Sequence, residues 1–184
     1  MTVPRNTRVD AYFERHLLPL AGKDLVALQI GVYMGDTTLW LLDNVLTSPH
    51  AGLDDVDPWI EGYDGWTPEG VEREYRERIA GRVEPYSKLA THKMTSREFL
   101  AKTKWEYDFI YIDGDHRAAP VLEDAIGAWR VLKKGGLLAF DDYTWGTGLP
   151  DTQRPLFAIE AFLAVYADQL EVRDVGEQVW VKKL

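Results

Sequence analysis

Two short acidic clusters carry most of the chemical potential of this chain: Asp113-Gly114-Asp115-His116 and Asp141-Asp142. Each follows a compact apolar run, residues 108–112 and 137–140, of the kind that forms a buried strand. Carboxylates delivered to neighbouring strand ends repel one another, and in a cleft they are costly unless a cation or a donor neutralises them. A hard divalent ion such as Mg²⁺ takes oxygen ligands and keeps water positions that a substrate oxygen can occupy. Asp113, Asp141 and Asp142 are the ligands this reading selects. The alternative is structural: Asp113 and Asp115 in a polar turn, Asp141 and Asp142 capping nearby backbone. His116 is the one histidine beside these acids, suited either to orienting a neighbour or to moving a proton, whereas His16, His50 and His92 lie elsewhere.

A second pair of features sits earlier. Residues 31–38 follow an apolar run and contain Gly31 and Gly35, which allow a sharp turn and close approach of a ligand to the backbone. Free N–H groups at the start of the following helix attract a carboxylate or phosphate. Asp57, 26 residues beyond Gly31, stands where an acid can accept hydrogen bonds from both hydroxyls of a ribose, or else caps the turn before Pro58. The glycine spacing is not that of a dinucleotide fingerprint.

The elements that must position these residues alternate. Val9, Tyr12, Phe13, Leu17 and Leu18 share one face of an N-terminal covering helix within residues 1–20. Strands are expected at 25–30, 51–56, within 86–94, at 108–112 and at 137–140. Helices are expected at 37–46, 69–82, from about Ser96 with its hydroxyl as cap, at 118–132 stopping at Gly135-Gly136, and at 155–167. The helix at 69–82 reads as a solvated face with Glu72 and Arg76 paired. Residues 59–68 form a loop, suited to a lid, and residues 170–174 and 178–182 close the chain as a β-hairpin. Alternating strands and helices ending in a hairpin predict an α/β, Rossmann-like, doubly wound and mostly parallel seven-stranded sheet. Helices cover both faces, and the C-terminal hairpin is antiparallel. In such sheets ligands bind beyond the carboxyl ends of the strands, where the acids and glycines fall. Trp59, Trp66 and Trp145 follow site-forming strands and could wall a substrate pocket.

Composition narrows the classes. The 184 residues, 46% hydrophobic, suit one soluble domain with an ordinary core, residues 1–184. Thirty acidic against 21 basic residues give a net charge of −9, which argues against tracking a nucleic-acid backbone. There is no cysteine, hence no disulfide, thiolate zinc site or Cys nucleophile. No apolar stretch has the length of a membrane span and the N-terminus is not signal-like, so no membrane partner and a cytoplasmic location are expected, with a homo-oligomer left open.

The segments LQIGVYMGDTT, VDPW, YDFIYIDGDH and LKKGGLLAFDDY, in that order over residues 25–143, resemble the class I S-adenosylmethionine-dependent methyltransferases. Within them they look most similar to metal-dependent small-molecule O-methyltransferases of the macrocin and novobiocin-sugar type. The resemblance implies that Gly31, Tyr33 and Gly35 approach the methionine part of S-adenosylmethionine, that Thr38 binds its carboxylate, that Asp57 holds the ribose, and that Thr95 and Ser96 lie near the adenine. It further implies Asp113, Asp141 and Asp142 as holders of Mg²⁺, with Asp113 also at the cofactor, and Asp115 as general base with His116 its neighbour or substitute. The acceptor would be a hydroxylated small molecule. Gln29 departs from the pattern, in which an acid stands before the first glycine. Rival readings keep the fold without the metal, Asp113 then binding the cofactor's ammonium, or make the chain a non-catalytic cofactor-binding partner subunit or a nicotinamide-dependent oxidoreductase.

Overall fold

The computed structural model describes residues 7–61, 65–81 and 89–184, with side chains from residue 11 onward. In chain order the elements are α1 (Thr7–Leu17), β1 (Val26–Ile30), α2 (Asp36–Asn44), β2 (Gly52–Val56), α3 (Pro68–Ile79), β3 (Leu89–His92), α4 (Ser96–Lys102), β4 (Tyr107–Ile112), α5 (Ala118–Val131), β5 (Leu132–Phe140), α6 (Leu156–Val165), β6 (Leu170–Val175) and β7 (Val179–Lys183). The strands form one seven-stranded sheet in the order β3-β2-β1-β4-β5-β7-β6. Pairing is parallel from β3 to β5, and β7 runs antiparallel to both its neighbours. This is the Rossmann-like arrangement expected from the alternation of elements. The strand order reverses between β1 and β4, which fixes where a ligand crevice opens.

Each sheet face buries one core. Leu28, Ile30, Ile110, Ile112, Leu138 and Phe140 pack under α4, α5 and α6. Ala27, Leu53, Phe109, Tyr111, Ala139 and Trp180 pack under α1 and α2 through Phe13, Leu17 and Leu41. Leu18, assigned to the same face of α1, is instead exposed past the end of that helix. The side chain of Val9 and residues 62–64 and 86–88, parts of the expected helix face, lid and third strand, lie outside the described residues.

Three expectations need correction. The helix α3 is not a plain solvated face: Val71, Tyr75 and Ile79, spaced by four, bury a stripe against Val32, Met34 and Trp59, while Glu72 and Arg76 pair on the outside. The cap of α4 is Thr95 rather than Ser96. Its hydroxyl accepts from the Glu98 backbone N–H while the Glu98 carboxylate accepts from the Thr95 backbone N–H, a reciprocal box that satisfies two free donors. The glycines 135 and 136 do not stop α5, because β5 begins directly at Leu132. Gly135, at φ 82°, lies where the β4–β5 register slips between Tyr107 and Phe109, so the pair makes a bulge within the strand. Helix α6 carries little polar surface, exposing Phe157 and Val165 while burying Ala158, Ile159 and Phe162. No helix of the described residues is long and apolar enough to cross a membrane.

Beneath the β1–α2 turn lies a buried polar network. Asp55 Oδ2 accepts from the Thr38 hydroxyl at 2.7 Å and the Tyr75 hydroxyl at 2.8 Å, and Thr38 also donates to Gln29 Oε1 at 3.3 Å. Oδ1 of Asp55 is buried without a partner. Burial outweighs these donors and pushes the Asp55 carboxyl up to about 7. A proton held more tightly in the folded than in the unfolded state stabilises the fold at low pH. That contribution falls as pH rises from about 4 to about 7, by on the order of 4 kcal/mol at most. Urea unfolding across this window should show the wild type losing stability relative to Asp55→Asn as pH rises. Parallel curves for the two proteins would refute the assignment.

Candidate functional site

The ends of β1, β2, β4 and β5 arrive side by side because their ladders continue one residue beyond each strand. Gly31 N–H donates to Val56 O, Asp113 N–H to Ile30 O and Asp141 N–H to Ile112 O, at 2.8–3.0 Å. At the switch point the backbones touch: a Cβ built on Gly31, at φ 83°, would lie 1.9 Å from the carbonyl oxygen of Asp113. Only glycine allows β1 to turn here against the exit of β4. The turn then passes through Tyr33 at φ 51° and Gly35 at φ 82°, where a Cβ would meet the Tyr75 ring at 2.8 Å.

Asp57 holds this turn. Its Oδ2 accepts from the N–H groups of Val32 at 2.8 Å and Tyr33 at 3.1 Å, and its Oδ1 from the N–H of Trp59 at 2.7 Å. The turn-capping alternative is therefore built, and one lone pair of Oδ1 remains for a further donor. Thr38, expected at a ligand carboxylate, is fully buried with its hydroxyl committed to Asp55, so it faces the core and not the crevice. Thr95 is exposed and spent on capping α4. Ser96 is hydrogen-bonded to Asp124, a buried acid of α5 whose carboxyl burial raises to about 6.

The acids after β4 and β5 converge on a small recess, with a cavity volume of about 10 Å³, lined by residues 112–116 and 140–142 with Val121 and Pro155. Ligating atoms of Asp113, His116 and Asp142 lie within 4.8 Å of one another. His116 Nε2 is 2.8 Å from Asp142 Oδ2, and this carboxylate, ahead of Asp141 and Asp115, raises the imidazole above its usual value against the effect of burial. Burial first, then the charges of Asp141 and Asp142, raises Asp113 well above the carboxylate range. Asp141 does not join the trio. Its Oδ2 accepts from the Tyr111 hydroxyl at 2.6 Å and its Oδ1 from the Gln178 amide at 3.2 Å. Asp115 does not join it either, being clamped by Arg117: the Arg117 N–H and guanidinium Nε bind it at 2.8 and 2.9 Å, and Arg117 Nη2 completes an ion pair. That clamp lowers the Asp115 carboxyl, which makes it a poor proton acceptor.

A family model for a methyltransferase domain matches residues 28–143, well over half of the chain. The chain belongs to the methyltransferase domain family. No curated protein sequence matches it. Among solved structures, the methyltransferase is similar to an O-methyltransferase from Bacillus cereus in complex with SAH, with a TM-score of 0.67 at 14% identity over 100% of this chain and 94% of that one. It is also similar to MycE, a methyltransferase of the mycinamycin biosynthetic pathway in complex with Mg and SAH. There the TM-score is 0.64 at 16% identity over 94% of this chain and 49% of that one. For CalS11, a calicheamicin methyltransferase, the TM-score is 0.64 at 17% identity over 96% of this chain and 77% of that one. At these identities the likeness is one of fold.

Of the three tryptophans expected to wall the pocket, one stands at the methyltransferase's acidic recess. Trp145, 41% exposed, meets the His116 ring edge-on at 4.6 Å. Trp59 is buried against Tyr75 and donates its indole N–H to Tyr33 O, so it braces the glycine turn, and Trp66 packs by Gly70 of α3. A wider, shallow depression along α3 is lined by Glu69, Glu72, Arg73, Arg76, Glu77 and Ala80, where Glu72 is already paired with Arg76 and Lys93. The residues sequence reasoning missed are Tyr111, Gln178, Asp55 and Asp124, all polar side chains inside or beside apolar segments. An acid within the strand pattern of residues 52–56 was the one available signal among them.

The contact at Gly31 yields a steric test. Gly31→Ala should destabilise the methyltransferase by roughly 3 kcal/mol or more, since it adds overpacking to left-handed strain. Gly65→Ala, at φ 84° with nothing within 4 Å of the added Cβ, should cost only about 1–2 kcal/mol. Chemical denaturation of both variants decides, and equal losses would show that the β1–β4 approach is not what requires glycine.

Proposed function

We propose that this methyltransferase transfers a methyl group from S-adenosylmethionine to a hydroxyl of a small molecule, with a divalent cation in the acidic recess. The observation that carries the reading is the convergence of Asp113, His116 and Asp142 beside the Gly31 turn, at the carboxyl ends of β1, β4 and β5. The SAH in the Bacillus cereus and MycE structures and the Mg in the latter support the same pairing of ligands.

The residues present suit a hard cation. Asp113 and Asp142 offer oxygen donors a few ångströms apart in a recess whose own charge resists full ionisation, and one or two carboxylates with waters are the usual holding set for Mg²⁺. The sulfonium of the cofactor supplies an electrophilic methyl group, and a bound divalent cation lowers the pKa of an acceptor hydroxyl and fixes its direction. His116 takes the acceptor's proton: Asp142 orients its ring, and Asp115, the other candidate, is neutralised by Arg117. On the nucleoside side, Gly31 lets the backbone approach, Tyr33 and Gly35 shape the turn, and Asp57 offers a ribose hydroxyl its remaining lone pair while its other sites hold the turn. Ser96, tied to Asp124, stands at the adenine end. Trp145 gives the acceptor a flat apolar wall next to His116, and much of the acceleration comes from alignment.

Calorimetric titration with S-adenosylmethionine, with and without Mg²⁺ and against NADH, tests the cofactor. Turnover with hydroxylated acceptors then tests the site. Asp113→Asn and Asp142→Asn should abolish transfer, and His116→Ala should lower kcat by about 100-fold or more, while cofactor affinity stays within a few-fold. Excess EDTA should stop the reaction and Mg²⁺ restore it. Activity that persists in EDTA would refute the cation and assign Asp113 to the cofactor's ammonium, and binding of NADH in place of S-adenosylmethionine would refute the reading as a whole.

A further inference from the structure

The Asp141 carboxylate is held from a distant part of the chain. Gln178, immediately before β7, is fully buried, and every polar atom of its amide is engaged. Its Nε2 donates to Asp141 Oδ1 at 3.2 Å and to the Tyr111 hydroxyl oxygen at 3.3 Å, and its Oε1 accepts from the Trp180 indole at 2.9 Å. The Tyr111 hydroxyl donates to the other oxygen of Asp141. Because the Trp180 N–H occupies the amide oxygen, the amide cannot flip, and its N–H₂ must face Asp141.

The turn that carries Gln178 is itself fixed on two sides. The Glu177 carbonyl accepts from the N–H of Tyr143, two residues past Asp141, and the Glu177 N–H donates to the Tyr12 hydroxyl of α1. A Cβ on Gly176 would lie 1.9 Å from that hydroxyl oxygen, so the Tyr12 side chain sits directly against this turn. Trp180 is in turn packed between the His16 ring, stacked at 4.6 Å, and Phe109.

We infer that Gln178 is a positioning residue for the acidic recess: held by Trp180, it fixes the Asp141 carboxylate, which lines the recess beside Asp113 and Asp142 without being one of the converging trio, and thereby sets the affinity of the Asp113–Asp142 centre for a divalent cation. The inference rests on the cation reading above and adds a residue that touches neither cofactor nor acceptor. Partners that orient a metal site from behind are commonly worth 10–100-fold in affinity. If Gln178 acts through Asp141, its effect must vanish when Asp141 can no longer respond.

The test is titration of the full chain with Mn²⁺ alone, followed by the loss of free-ion EPR signal, for wild type, Gln178→Leu, Asp141→Asn and the double variant. Urea unfolding serves as a check that each is folded. Gln178→Leu should weaken Mn²⁺ binding about tenfold, and adding it to Asp141→Asn should change nothing further. Should Gln178→Leu not fold, Gln178→Asn keeps the amide but withdraws it by one methylene, and the same loss is expected. Unchanged affinity in the Gln178 variant, or an equal loss in both backgrounds, overturns the inference and leaves the cation reading intact. A wild type that binds no Mn²⁺ overturns both.

Discussion

The structure is organised around an excess of negative charge at the carboxyl ends of β4 and β5. Four aspartates meet there in a chain already at −9, and each meets a different answer. Asp115 is neutralised by Arg117, Asp142 is hydrogen-bonded to His116, and Asp141 is stabilised by two neutral donors. At Asp113, on the switch point, burial and the like charges of Asp141 and Asp142 outweigh a hydrogen bond from Tyr111. A fold tolerates an acid so placed when a positively charged ligand completes it, because an isolated buried carboxylate otherwise takes up a proton. Both ligands of the proposed reaction, a sulfonium nucleoside and a divalent ion, carry that charge.

The support for this arrangement runs across the sheet as one lateral row. Thr91, Asp55, Gln29, Tyr111, Ala139 and Trp180 are register partners on successive strands from β3 to β7, and Trp180 pairs on with Asp174 of β6. The row sits one residue below the strand ends and faces α1 and α2. At its β3–β1 end the Tyr75–Asp55–Thr38–Gln29 network braces the glycine turn, with Gln29 also donating to the Gly31 carbonyl. At its β4–β7 end Tyr111 and Trp180 brace Asp141. The acid of this network stands at position 55, directly opposite Gln29 in register.

How much of this was legible follows from range. The alternation of elements and the terminal hairpin are local patterns of apolar residues, and they predict the sheet and both helical layers. The clusters at 113–116 and 141–142 are visible because acids after apolar runs must emerge at strand ends. What sequence could not supply is direction. Nothing local says that Asp115 would be captured by Arg117 two residues on, that Thr38 would point inward, or that His116 would approach the centre more closely than Asp141. Gln178 and Tyr111 are invisible for the same reason: a glutamine before a hairpin strand and a tyrosine in an apolar run gain meaning only once β7 inserts between β5 and β6. The cap of α4 lies one residue before the expected Ser96, because Thr95 and Ser96 are both good caps and the Glu98 three residues after Thr95 decides between them.

The backbone records the same constraint. Among the described residues, three that are not glycine have positive φ, Tyr33, Trp59 and Asp142, and all three lie at the exits of β1, β2 and β5. Conformations of this kind cost on the order of 1–3 kcal/mol each and persist only where surrounding contacts over-determine them. Asp142 bears the smaller penalty, because a short polar side chain tolerates the left-handed region, and its carbonyl closes a turn with the N–H of Trp145. Tyr33 and Trp59 are bulkier, and both are held by the carboxylate of Asp57, with the Trp59 indole returning a bond to the Tyr33 carbonyl. Asp57 is therefore no simple hook for a ribose. Its carboxylate holds two strained exits at once and so fixes the shape of the glycine turn.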